Sequence, residues 1–155
     1  MSSRADTAGV IAPPPLIMAA ALLGGWLLGL VLPVPSLPRP LAGWIGSGAI
    51  LLAFALAGAA VLTMRRAGTH VDPYHPSTAL VRSGPFAVSR NPIYLALILL
   101  SLGIAVLLDL AWGVLLLIPA VLVLRFGVIA REEAYLERIF GDAYRDYRSA
   151  VRRWI

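Results

Sequence analysis

Four stretches of this chain, Leu16–Leu32, Leu41–Met64, Ile93–Leu108 and Leu110–Ala130, are apolar over a depth close to that of a bilayer, and Arg125 is the one charged residue inside any of them. A hydrocarbon core about 30 Å thick asks for roughly 20 apolar residues in a helix that rises about 1.5 Å per residue. The expected fold class is therefore all-α: a polytopic membrane helix bundle of about four transmembrane helices in a single membrane domain over residues 1–155. Hydrophobic residues make up 59% of the chain and mean hydropathy is +0.83, so lipid is the expected solvent for much of the surface.

The breaks between the runs carry further information. Pro33, Pro35, Pro38 and Pro40 cannot extend a helix, which makes 33–40 a stiff extracytoplasmic turn. Gly46, Gly48, Ala53, Ala57 and Ala60 lie at helical spacings on the second run, where small side chains let a neighbouring helix come close. Residues 65–92 are polar and punctuated by Gly68, Pro73, Pro76, Gly84 and Pro85, which places them in a loop outside the bilayer. Only Asp109 separates the last two runs, so they are expected to form a tight helical hairpin with Asp109 capping its turn. Beyond Ala130, Leu136, Ile139, Phe140, Ala143, Tyr144, Tyr147, Ala150, Val151 and Trp154 recur at three- and four-residue steps among charged residues. That pattern is a C-terminal amphipathic helical segment over 131–155, ended in its first half by Gly141 and restarted with Asp142 as cap.

All thirteen basic residues are arginine, and the net charge is +5. In a four-span arrangement Arg4, Arg65, Arg66, Arg82, Arg90 and the tail arginines share one face, while Arg39 stands alone on the other. The arginine-rich face is then cytoplasmic, with both termini on it. Charge placed this way reads as topology and headgroup contact; no base-stacking platform accompanies it, so nucleic acid is not an expected partner. The lack of cysteine removes disulfides and thiolate metal sites, and His70 and His75 have no second ligand pattern, so no metal is expected. Asp72 and His75 sit among turn residues and read as loop hydrogen-bonding groups.

Chemistry concentrates on that same face. Carboxylates beside a bilayer are costly, yet Glu132 and Glu133, two of only eight acidic residues, stand where the last span leaves the lipid. With Arg131 they form a cluster able to hold an ammonium and a carboxylate at once, which is what an amino-acid moiety presents. Arg125 either snorkels to the surface or lines an internal cavity. Across the loop, Pro92 fixes entry into the third span and leaves the first-turn N–H groups free for an acceptor or an anion, with Arg90 and Asn91 beside them. Taken singly, Arg90 also reads as a topology anchor and the glutamates as interfacial ion pairs.

Taken together, Arg90-Asn91-Pro92-Ile93-Tyr94-Leu95, the short hairpin, and Glu132-Glu133 followed by Leu136, Phe140-Gly141, Tyr144, Tyr147 and Val151 resemble the isoprenylcysteine carboxyl methyltransferase and phospholipid methyltransferase superfamily. The resemblance covers about Gly68 to Val151. It implies an integral membrane methyltransferase that uses S-adenosylmethionine, bound at the cytoplasmic ends of the last two spans beneath the C-terminal helices, and a lipophilic acceptor arriving from the bilayer. It also implies that Arg90, Asn91, Pro92, Tyr94 and Leu95 line the adenosine and that Glu132 and Glu133 meet the amino-acid end. His70, Leu80, Val81 and Gly84, in the preceding loop, are implied as further cofactor contacts. Asn91 and Glu133 are then expected to face one hollow.

The acceptor stays open between a carboxylate, oriented by Arg131 and Arg148, and an amine, losing its proton to a glutamate such as Glu132 or to His70. Asn91 stands where the carboxyl methyltransferase branch usually has histidine, whereas Asn-Pro also occurs in the phospholipid branch. Methyl transfer from a sulfonium is an in-line displacement, so the protein mainly aligns the partners and excludes water. Sterol and steroid reductases have a similar C-terminal membrane architecture, but the 2′-phosphate of NADPH asks for more basic contacts than this loop supplies. A proton-coupled transporter asks for an ionisable residue at mid-membrane, and the first two spans contain none.

Overall fold

Three long helices start on or next to a proline, which suits the first helical turn because its N–H would be unpaired there anyway. In the computed structural model, which describes residues 9–34, 37–70 and 77–155, these are α1 (Pro14–Val31), α2 (Arg39–Arg66) and α3 (Pro92–Leu107). Arg4, Pro35, Asp72, Pro73, His75 and Pro76 lie outside the described residues. The chain continues through α4 (Ala111–Leu124), a π-helical turn at Arg125–Ile129, α5 (Ala130–Phe140) and α6 (Asp142–Ala150). Among the described residues all regular structure is helical.

Among the described residues, three helices are long and apolar enough to cross a membrane: α1, α2 and the continuous run Ala111–Phe140. The expectation of four such spans is not met, because α3 stops after 16 residues, about 24 Å of rise. The hairpin between α3 and α4 forms as expected, but through the left-handed backbone of Asp109, at φ +63°, a conformation that aspartate tolerates better than most residues. No side-chain cap begins α4.

The helices pack in two antiparallel pairs, α2 along α3 and α1 along α4, and the pairs meet along α3. Small residues allow both close approaches. On α2, Gly46, Ala53 and Ala60 are buried at seven-residue spacing, and a Cβ on Gly46 would lie 2.9 Å from the Gly103 carbonyl oxygen of α3. Gly48, expected on the same face, meets open space. Between α1 and α4 the backbones nearly touch: a Cβ on Gly25 would come within 2.3 Å of Gly113 Cα. Met18, Ala21, Tyr94, Leu117, Ala120, Leu124, Val128 and Ile129 form the core between α1, α3 and α4. Large apolar side chains cover the outside instead, with Trp44 82% and Leu51 71% exposed. Such a surface is stable in lipid and not in water. The protein is an integral, multi-pass membrane protein.

The π-helical turn bonds Ala130 N–H to the Arg125 carbonyl, five residues back, and accommodates one residue more than an α-turn holds. Arg125 is exposed there, 5.3 Å from the Phe126 ring centroid, so it lies on the outer surface and lines no internal cavity. Past it, α5 ends at Gly141, whose φ of +53° turns the chain into α6, as the sequence suggested. Asp142 does not cap α6; it sits in the first turn, exposed, and pairs with Arg145.

Candidate functional site

The polar segments gather at one end of the bundle. The loop over 77–91, α5, α6 and the C-terminal residues close on one another through side chains that reach across the chain. Ser77 N–H donates to the Tyr135 hydroxyl at 3.1 Å, Arg82 donates to the Ala143 carbonyl, and the Tyr147 hydroxyl donates to the Phe86 carbonyl at 2.7 Å. The segment before α3 is sewn to the tail in the same way. Arg90 N–H donates to the Arg152 carbonyl at 3.0 Å, while Ser89 Oγ and Asn91 Nδ2 both donate to the Arg153 carbonyl at 3.2 Å. These bonds form a roof over what lies beneath.

Beneath it sits Glu133. Its side chain is 10% exposed and is held by two arginines: Arg90 Nη2 at 3.2 Å from Oε1, and Arg153 in a bidentate grip, Nη2 to Oε2 at 2.6 Å and Nε to Oε1 at 3.1 Å. Charge-assisted bidentate pairs of this kind are among the strongest hydrogen bonds a protein makes. Arg90 is itself buried, with a side chain 9% exposed, and its Nε and Nη1 have no hydrogen-bond partner among the described residues. Buried donors left unpaired are costly, so these two point to an anion that belongs beside them. Glu132 turns the other way and accepts from the Tyr94 hydroxyl at 2.6 Å.

Two hollows meet at this cluster. A cavity of ≈ 60 Å³ is lined by Leu80, Val81, Arg90, Asn91, Glu132 and Glu133, with Tyr144 and Tyr147 among its further walls. A second, of ≈ 250 Å³, runs from Arg90, Asn91, Tyr94 and Glu132 to the apolar side chains of Pro14, Ile93 and Leu97. They share Met64, Phe86, Arg90, Asn91 and Glu132, and together they reach the lower end of the roughly 300–1,000 Å³ that small-molecule sites occupy. Burial holds both tyrosines neutral: it pushes the Tyr147 hydroxyl up to about 12 and raises Tyr144 further, with help from Glu133. Their rings meet edge to face, 6.2 Å apart. The Leu136, Tyr144 and Tyr147 spacing thus becomes one cavity wall, folded back on itself at Gly141.

The residues singled out in the sequence divide accordingly. Leu80, Val81, Arg90, Asn91, Tyr94, Glu132 and Glu133 line one or both hollows, and Asn91 and Glu133 face the same one. His70 is exposed and lines neither, although the adjacent Thr69 is buried at the cavity wall. Pro92 and Leu95 face a separate apolar cavity of ≈ 560 Å³ between α2 and α3. Gly84, at φ +58°, presses against Thr63 of α2, whose Oγ1 would lie 2.9 Å from an added Cβ. Arg131 reaches away to the Gly9 carbonyl at 2.9 Å, and Arg148 pairs with Glu137 on the exposed surface at 2.8 Å; neither lines a hollow. The sequence reading missed Met64, Phe86 and Arg153. A buried carboxylate needs a cation, and the Arg152-Arg153 pair was the nearby unassigned source.

Comparison with known proteins decides the family. A family model described as phospholipid methyltransferase matches residues 41–143, from α2 through the loop, the hairpin and α5 into the start of α6. The chain belongs to the phospholipid methyltransferase family. Membership makes it an S-adenosylmethionine-dependent methyltransferase, acting near the membrane on a lipophilic small-molecule acceptor. A protein of Haemophilus influenzae, described as uncharacterized, is 48% identical over 66 residues, which is 41% of this chain and the whole of that one. No solved structure matches the chain. Within the matched stretch lie Arg90, Asn91, Glu132 and Glu133; Arg148 and Arg153 fall beyond it.

Proposed function

We propose that the joined hollows are the methyl-transfer site, with S-adenosylmethionine held at the Glu133 side and the acceptor at the Tyr94 side. The observation that carries this reading is Arg90: a buried guanidinium with two unpaired N–H donors beside a buried carboxylate, a pairing of charges that complements the carboxylate and ammonium of an amino acid. Glu133 takes the ammonium, Arg90 the carboxylate, and Leu80, Val81 and Asn91 form walls around the remainder. When bound, the cofactor supplies a methyl carbon activated by a positively charged sulfonium. The roof from Ser89, Asn91 and the tail keeps water from that carbon.

For the acceptor we favour an amine. The second hollow presents a carboxylate, Glu132, bonded to Tyr94, while Arg131 and Arg148, the cations suited to orient an acceptor carboxylate, lie elsewhere. Glu132 Oε takes the proton that an ammonium must lose before its nitrogen can attack, and Tyr94 holds the glutamate in place. The apolar flank of Pro14, Ile93 and Leu97 suits the lipid part of such an acceptor. Incubation of the purified protein with labelled S-adenosylmethionine and a membrane lipid extract tests this: label is expected on a lipid amine, and label released as methanol by base, the mark of a methyl ester, would shift the acceptor to a carboxylate. Calorimetry with S-adenosylhomocysteine tests the cofactor assignment, since Glu133→Ala should abolish binding and an unchanged affinity would reject it.

We further infer that α3 is a short fourth crossing, which puts both termini and the site on the cytoplasmic face with Arg65, Arg66 and Arg82. The chain has no cysteine, so single cysteines at Asp109 and Arg82 are expected to react with a membrane-impermeant maleimide from opposite sides. Labelling of both from one side would remove the fourth crossing.

A further inference from the structure

Glu133 is held by two arginines where one would neutralise it, and the two are not equivalent. Arg90 is fixed in the interior, whereas the Arg153 side chain is 28% exposed and has a route to water. The tail does not depend on that guanidinium for its position, because the roof bonds use main-chain atoms, the carbonyls of Arg152 and Arg153. Arg153 nevertheless bonds both oxygens of Glu133, so an incoming ammonium competes with it for this carboxylate. The space left beside Glu133 is ≈ 60 Å³, so most of the room in the joined hollows lies on the Tyr94 side while Arg153 is in place.

We infer that Arg153 is a built-in stand-in for the ammonium of the ligand. Its guanidinium occupies the seat on Glu133 that the ligand's ammonium would take. Ligand entry displaces the side chain into water while the tail backbone stays bonded to residues 89–91 as the roof. The inference rests on the assignment of Glu133 to the amino-acid end of the cofactor. It assigns a function to a residue ten positions past the end of the family match, which stops at residue 143. It makes binding a competition, in which the apparent affinity is lowered by the fraction of molecules whose seat is already taken.

The test uses the full chain in detergent: wild type, Arg153→Ala and Arg153→Gln, each titrated calorimetrically with S-adenosylhomocysteine and with its analogue lacking the α-amino group. Both variants are expected to bind S-adenosylhomocysteine about tenfold more tightly, the scale of a lost competing charged hydrogen bond, while the deaminated analogue binds all three proteins alike. Arg153→Gln keeps most of the side chain's bulk and serves if the alanine variant does not fold. Unchanged or weakened affinity for S-adenosylhomocysteine in the variants overturns the proposal, as does an equal gain for both ligands, which would report a loosened roof. Absence of binding by all three proteins brings down the cofactor assignment itself and this inference with it, a result distinct from binding that the variants fail to improve.

Discussion

Replacing Glu133 with alanine is expected to weaken the fold as well as the site. The carboxylate makes three short contacts, one to Arg90 and two to Arg153. Without it, Arg90 remains 91% buried by its side chain, already short of partners at Nε and Nη1 and now short of its carboxylate too. Breaking a buried ion pair from one side costs roughly 3–5 kcal/mol, and because Arg153 can turn to water the lower figure, about 3 kcal/mol, is the fitting one. Against the roughly 5–15 kcal/mol that holds a typical fold, that is a large share. Removing both buried charges, with Arg90→Leu and Glu133→Leu together, should restore most of the loss, since no unpaired charge is then left inside. Unfolding in mixed micelles titrated with dodecyl sulfate, followed by helical circular dichroism, measures both. If Glu133→Ala unfolds within about 0.5 kcal/mol of wild type, the range of ordinary surface changes, or if the double variant is no more stable than the single one, Glu133 is not a buried partner on which Arg90 depends.

Glu132→Gln should lower kcat by about 100-fold, the usual scale for removing a general base, and leave S-adenosylhomocysteine affinity intact; equal losses in both would refute a proton-transfer role. Gly25→Val puts a side chain where Gly113 backbone atoms stand 2.3 Å away, so it should lower thermal stability by about 1–3 kcal/mol through forced separation of α1 and α4, while Gly29→Ala, with nothing within 4 Å, should not. Tyr147 has its pKa raised from 10.0 to about 12 by burial. A raised folded-state value means that its contribution is whole below pH 10.0 and is lost as pH climbs toward about 12. Tyr147→Phe should flatten the fall in stability over that window, and an unchanged slope would show that another group sets it.

What could be read from the sequence follows from what lipid penalises. Apolar runs between prolines mark helices because the bilayer admits little else, and polar residues beside them mark a site because their placement is costly; hence α1 to α4, Arg90, Asn91 and Glu133 were visible. The partner of Glu133 was not. Arg153 lies twenty residues away, and its approach depends on the reversal at Gly141, whose angle no local pattern sets. Arg131 was misplaced because adjacency in sequence is not adjacency on a helix: neighbours point about 100° apart, and Glu132 and Glu133 already use the inward arc. Gly25 and Gly113 escaped notice because a small residue in a uniformly apolar helix carries no polar face to mark which side is packed.

The π-helical turn at Arg125–Ile129 sets the compass bearing of the carboxylates relative to the span that carries them. Were the same residues wound as regular α-helix, the residue that the wide turn absorbs would rotate everything beyond it by up to about 100°, sending Glu133 off the heading that faces Asn91. The alignment of the two halves of the site therefore depends on the backbone between Leu124 and Ala130 staying wide, and little on which side chains stand at its exposed positions.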